Sequence, residues 1–369
     1  MRVSVPHMGN TYIAFKALFD RLDIDYIVPP VTNQRTLSLG VKHSPEGVCI
    51  PFKLTLGNLI EAAEQGADTL LMPAGYGLCR LGEYFTTQQQ ILRDLGYKNV
   101  EIVGVGIAED SLSGLLKTVK RLSNNASWFK IISAFRFGLK KLSTLDNMER
   151  VVQRVRAVEL VKGTANQLYA KAVDAIDEAD DYNTLKKAQS EYTDQLNQVT
   201  RNGREPIIVG IIGEFYVLLE PFSNFDIESE LGKLGVEVRR TIFLSEWTKS
   251  SQFINPLGIT EKERIHKKAL PYLKREIGGD GWQSVGEKVL HSKEYDGLIH
   301  MLPFTCLPEI VAQNIMPTVK EDIPVLPIIC DEQMAKAGML TRLEAFIDLL
   351  ERKRRGNAKQ KTPALRSVE

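Results

Sequence analysis

Gly297-Leu-Ile-His-Met-Leu-Pro-Phe304, followed by Thr305-Cys306, and Pro324-Val-Leu-Pro-Ile-Ile329, followed directly by Cys330, are two short apolar runs that each end on a cysteine. A run of this length, apolar throughout and followed by helix-like spacing, reads as a strand buried on both faces that feeds a helix, the pattern of a parallel sheet. Both thiols then fall at strand-to-helix turns. In an open α/β sheet that edge gathers the loops, and helix N-termini point their N–H groups at whatever sits there. Two cysteines on it point to a metal or redox site within Tyr295 to Glu344.

Upstream, Asn202-Gly203-Arg204 reads as a boundary, after which Pro206 to Gly213 opens an α/β alternation. A helix over Ile227 to Leu234 follows, then a strand from Val236 to Leu244 and amphipathic stretches over Glu261 to Ile277 and Ser284 to Leu290. With the two cysteine-terminated strands and a helix over Leu340 to Leu350, this makes a second α/β domain, 203–351. The beginning of the chain alternates in the same way. Strands are expected at Arg2 to Pro6, Tyr26 to Pro29, Thr69 to Pro73 and Val100 to Ile107, and helices at Thr11 to Leu22, from Pro51 to about Gln65, in the segment after Gly75 up to Gly96, and at Asp110 to Leu122. That gives a first α/β domain, 1–126. Between them, 127–202 is poor in glycine and rich in alternating charge, and reads as two or three long helices that pack on the sheets or on another copy of the chain. Arg352 to Arg366 carries seven Lys or Arg without apolar periodicity, so 352–369 reads as a basic flexible tail.

The 369 residues suffice for two or three domains with real cores, and 43% hydrophobic and 25% charged residues with a net charge of +1 give no global argument for nucleic acid, membrane or disorder. Met1-Arg-Val-Ser-Val-Pro-His7 has no signal-peptide character and no apolar run reaches a membrane span, so a cytoplasmic location is expected. In that compartment the four cysteines are not expected to form stable disulfides.

Cys49, just before Pro51, and Cys79, in the turn-rich Gly75 to Tyr84, repeat in the first domain the placement of Cys306 and Cys330 in the second. If the domains face each other, the four thiols can converge. No CxxC occurs, so local zinc-ribbon and ferredoxin signatures are absent. Inert buried thiols, an iron–sulfur cluster and structural zinc all remain open on spacing alone.

Four segments carry a resemblance. Gly40-Val-Lys-His-Ser-Pro-Glu-Gly-Val-Cys-Ile-Pro-Phe-Lys-Leu-Thr-Leu-Gly-Asn58, Gly77-Leu-Cys-Arg-Leu-Gly-Glu-Tyr84, Gly213-Glu-Phe-Tyr-Val217 with Asn224-Phe-Asp-Ile-Glu228, and Asp331-Glu332 with Thr341-Arg-Leu-Glu-Ala-Phe346 resemble the 2-hydroxyacyl-CoA dehydratase superfamily. Within it they are most similar to the acyl-CoA dehydratase activase-related branch, also called CoA-substrate-specific enzyme activase, which is related to double-cubane cluster proteins. The resemblance implies two Rossmann-like or flavodoxin-like domains and a [4Fe–4S] cluster held by Cys49, Cys79, Cys306 and Cys330, four cysteines being few for a double cubane. It further implies electrons delivered by an ATP-hydrolysing iron–sulfur activator protein. The chain itself would then act as a dehydratase-like or small-molecule reductase component on an acyl-CoA or other small substrate, with a non-catalytic electron-transfer or scaffold subunit, or a zinc-stabilised structural protein, as the alternatives. Gln333 stands where the family often has histidine after Asp331-Glu332.

Among other residues, His43, Glu83 and Tyr216 are the candidates for acid–base work, each with a structural reading beside it. Lys42, Lys53 and Arg80 lie near cysteines and could offset thiolate charge. Tyr84 and Glu214 could hydrogen-bond across a cleft, and His300 reads as structural. No GxxxxGK[ST] or complete GxGxxG is present, so neither nucleotide hydrolysis nor a dinucleotide site is supported here. A second copy of the chain is an open partner, as a homodimer; nucleic acid and membrane are not expected.

Overall fold

The computed structural model describes residues 1–75, 79–106, 112–249, 261–275 and 277–361. Two parallel sheets form its frame. The first has the order β1 (Val3–Ser4), β2 (Thr69–Pro73), β3 (Glu101–Val105). Around it lie α1 (Tyr12–Arg21), α2 (Gln34–His43), α3 (Ile50–Glu64), α4 (Tyr84–Asp94) and α5 (Leu112–Leu122). A helical layer follows: α6 (Trp128–Val158), α7 (Thr164–Glu178) and α8 (Tyr182–Asn197).

The second sheet is built from β4 (Ile207–Gly213), β5 (Val236–Arg240), β6 (Gly297–Pro303) and β7 (Val325–Cys330), in the order β5-β4-β6-β7. Its helices are α9 (Phe215–Leu219), α10 (Pro221–Asn224), α11 (Ile227–Lys233), α12 (Leu244–Lys249), α13 (Glu261–Ala269), α14 (Gly281–His291), α15 (Leu307–Ile315) and α16 (Lys336–Lys361). The fold class is thus α/β with two parallel sheets, as the apolar runs imply. Every residue of β6 is buried, which is why it reads as one uninterrupted apolar run.

The helix α3 ties the sheets together. Ile50 to Ala63 are all buried, and its apolar side chains serve two cores: Ile50 and Leu54 pack with β4, β5 and β6, while Phe52, Leu56 and Leu59 pack with β2 and β3. A helix enclosed on every side has no polar face to show, so its sequence carries little amphipathic signal. Pro51 in the first turn marks its start instead. The long α6 behaves likewise. Its first turns bury Ile131 and Ala134 with the first sheet, its middle packs on Ile13 and Ala17 of α1, and at its far end Arg156 lies against Gly232 of α11.

Three differences from the sequence reading have local causes. Tyr26 to Pro29 contributes only the bridge Val3–Tyr26 rather than a strand. The stretch expected to stay helical to Ile277 ends as α13 at Ala269, two residues before Pro271, which disfavours helix in the residue it follows. The expected flexible tail is helical through Lys361, because α16 continues past Leu350 with ion pairs Asp348–Arg352 and Glu351–Arg355 at helical spacing. Arg354 also donates to the carbonyl of Pro206 at 3.1 Å. Residues 362–369 of that tail, and the expected strand and helix ends at Ile107 and Asp110, lie outside the described residues.

Candidate functional site

The C-terminal ends of β4, β6 and β7 bring three groups together. Gly213 ends β4 with φ +136°, and a side chain there would meet the Met301 carbonyl at 1.9 Å, so only glycine lets the strand close against β6. Glu214 follows at once, capping α9 with a carboxyl oxygen that accepts from the Val217 N–H at 3.0 Å. Cys306 caps α15, reached through Thr305 in the left-handed region at φ +66°. Cys330 is the last residue of β7, in register with Pro303.

The first sheet supplies the other two thiols. Cys49 is the N-cap of α3, and Cys79 opens the short helical turn Arg80–Glu83. Arg80 fastens the two halves, donating to the carbonyls of Gly47 at 2.9 Å and Thr305 at 3.1 Å. The turns that precede Cys49 and Cys306 are therefore held by one guanidinium.

One carboxyl group acts on all four thiols. Burial, foremost, and the charge of Glu214 push every cysteine up: Cys49 above its ordinary value, Cys79 to about 11, and Cys306 and Cys330 higher still. The Tyr84 hydroxyl lies 2.6 Å from the Cys49 sulfur and opposes the rise there without cancelling it. Glu214 is itself pushed up to about 8, by burial and then by the charges of Asp280 and Glu309, against hydrogen bonds from the Val217 and Tyr216 N–H groups. Asp280, whose Oδ2 accepts from the Phe215 N–H at 3.2 Å, rises to about 7 by burial and the charge of Glu309. Behind them Glu309, fully buried, takes a hydrogen bond from the Ser284 hydroxyl at 2.8 Å and pairs with His300 at 2.6 Å. The result is a set of four thiols that share one carboxyl neighbour, with Glu214 and Asp280 holding their protons near neutrality.

The remaining sequence candidates divide. Lys53 is buried and forms an ion pair with Glu332 at 2.7 Å, joining α3 to the segment after β7. Tyr216 is buried, but its hydroxyl donates to the His7 carbonyl at 3.2 Å rather than toward a thiol. His43 closes α2 and makes no hydrogen bond or ion pair among the described residues, and Glu83 is exposed ahead of α4, as is Lys42. Sequence reasoning missed Asp280 and the Glu309–His300 pair, which converge from three separate segments. The one available signal was His300, a polar residue inside an otherwise apolar strand.

The donor chemistry, four thiols from four segments and both sheets, suits a thiolate-bound cluster. Their placement is another matter: among the described residues no group of three or more His, Cys, Asp or Glu could hold a metal ion, and all four cysteines are free. No helix among the described residues is long and apolar enough to cross a membrane.

No curated protein matches the chain. Residues 5–91 match the family described as CoA enzyme activase uncharacterised domain (DUF2229), a segment that contains Cys49 and Cys79. That match overturns the expectation of an iron–sulfur dehydratase-like or reductase component fed by a separate activator. It points instead to the activator's side of such a system, and an activase domain implies a partner enzyme. Over these residues the chain is similar to an activase-related CoA-enzyme family.

Proposed function

We propose that the chain is an activator-side component that prepares a partner CoA enzyme for turnover and does not itself transform the CoA ester. The observation that carries this reading is the activase match over 5–91, which includes two of the four thiols that gather around Glu214. In this reading Cys49, Cys79, Cys306 and Cys330 are the donor set for a [4Fe–4S] cluster, which when bound supplies one-electron transfer, and the four sulfurs would have to draw closer together than they stand here to ligate it. The chain's own groups have defined work. Glu214 and Asp280 keep protons beside the thiols, Tyr84 orients the Cys49 sulfur, and Arg80 holds the two cysteine-bearing turns in contact.

Anaerobic purification of the tagged full-length chain with whatever CoA enzyme accompanies it tests the proposal. CoA-ester turnover should need both proteins, and should fall at least tenfold when Cys306→Ala or Cys330→Ala replaces the natural chain. Turnover by the chain alone, or by the partner at full rate without it, would defeat the activator reading. Iron and sulfide absent from an active preparation would remove the cluster and leave the activator role standing.

A further inference from the structure

A cavity of about 280 Å³ lies where α6 crosses the end of β5 and faces α14. It shares no residue with the thiol site, and Arg150, Arg154, Arg239 and Arg240 all line it. The four differ in how far they are committed. Arg240 is buried and fully used, donating to the Ile242 carbonyl at 2.9 Å, to Glu228 at 2.8 Å and to Glu149. Arg150 pairs with Glu246 and lies over the Phe243 ring at 3.8 Å. Arg239 pairs with Glu237, yet its Nε is buried with no hydrogen-bond partner among the described residues. Arg154 is exposed and makes no hydrogen bond or ion pair among the described residues. Two guanidinium groups at this cavity therefore have donors to spare.

Charge and shape narrow what they would take. Glu246 and Glu287 face the arginines in the lining, and Glu149, Glu228 and Glu237 pair with Arg240 and Arg239 beside it, so the donors open to a ligand are those of Arg154 and the Nε of Arg239. A phosphate monoester is anionic near neutral pH and offers three oxygens to forked donors, which matches the guanidinium geometry. Aromatic rings complete the lining: Phe243, beneath the Arg150 guanidinium, and His291 stacked on Tyr295 with centroids 4.7 Å apart. A cavity of this volume is at the small end for ligand sites, room for a phosphate and one ring system but not for a whole coenzyme.

We infer that this cavity is a binding site for a small phosphate-bearing ligand, held by Arg154 and Arg239. The inference stands apart from the activator proposal. Calorimetric titration of the full chain in chloride buffer with inorganic phosphate, AMP and acetate tests it. Phosphate and AMP are expected to bind saturably and acetate not. Affinity should fall at least tenfold in Arg154→Ala/Arg239→Ala, less in Arg154→Lys, and not at all in Arg136→Ala, which alters an exposed cation elsewhere on α6. AMP binding tenfold or more tighter than phosphate would identify a nucleotide-like ligand; equal affinities would identify the phosphate alone as what is recognised. No saturable binding of either probe, or undiminished binding by the double variant, overturns the site. If the double variant unfolds, Arg154→Ala alone decides, since that side chain is exposed.

Discussion

Glu214 works against the fold in proportion to how well it keeps its proton. With its carboxyl raised from 4.5 to about 8, the folded chain holds a proton that the unfolded chain has already lost. Its contribution is whole below pH 4.5 and is lost as the pH climbs through about 8. Glu214→Gln keeps the acceptor for Val217 and removes the titration, so the variant should gain on the natural, metal-free chain by a few kcal/mol between those limits, at about 1.4 kcal/mol per pKa unit. Urea unfolding at pH 5 and pH 9 measures the difference, and equal pH dependence in the two proteins would count against a buried, protonated Glu214. The thiols give a second prediction. Cys79 is the one cysteine not fully buried, and its pKa is raised less than those of Cys306 and Cys330, so iodoacetamide at pH 8 should label it first and slowly, with Cys330 protected until unfolding. Peptide mass spectrometry of a time course reads this directly. The positions of the thiols were legible because strand ends and prolines mark them. Of the carboxyl groups around them only Glu214 was, since Asp280 and Glu309 join it only when the start of α14 and the first turn of α15 fold against the end of β4.

Helices α2 and α3 show what a sequence conceals at the scale of an element. Pro51 discloses α3, whereas α2 carries Gly40 and was not evident as a helix. The reason is the packing. A side chain at Gly40 would meet the Lys53 carbonyl at 1.8 Å, and one at Gly57 would meet the Thr36 carbonyl at 2.0 Å, so the two backbones touch through reciprocal glycines. Glycine costs helix stability locally and repays it through this contact. Gly57→Ala would gain roughly 1 kcal/mol of helix propensity but force the helices apart, a net loss expected at roughly 2 kcal/mol or more. The midpoint of denaturant unfolding reports it, and a neutral or stabilised variant would refute the close approach. By contrast, β6 and α15 were plain, because a doubly buried strand writes itself as an apolar run and Pro308 marks the helix start at Cys306; β7 reads the same way although it is an edge strand, half-buried and with Ile329 exposed, and not the doubly buried strand its run implied. The end of α16 was obscure for the opposite reason: its basic residues look solvated until Asp348, Glu351 and the Pro206 carbonyl are seen beside them.

Across the whole molecule, the halves are joined by few but buried polar contacts. His7 of the first half meets Glu220 of the second at 2.8 Å, and Lys53 meets Glu332. Burial would raise the Glu332 carboxyl, but the hydrogen bond and charge of Lys53 outweigh it and hold it below 4.5. The stability this pair adds is present above pH 4.5 and disappears as pH falls through the lower folded value. Lys53→Met should therefore cost about 1–2 kcal/mol at pH 7, with the gap closing in acid as the pH falls through the lowered Glu332 value. Paired unfolding curves at pH 7 and in acid test this, and a gap that persists in acid would separate Lys53 from Glu332.

The helix α3, enclosed by both cores, limits how the molecule can move. Parting the halves like a clamshell would bare Ile50, Leu54 and Leu37 to water at about 2 kcal/mol each, about 6 kcal/mol in all. Fewer than about one molecule in ten thousand would stand open at a given moment. A partner that exchanges anything with the thiols must then reach them over the rim, where Phe304 and Leu307 already face solvent, and not by waiting for the interior to gape.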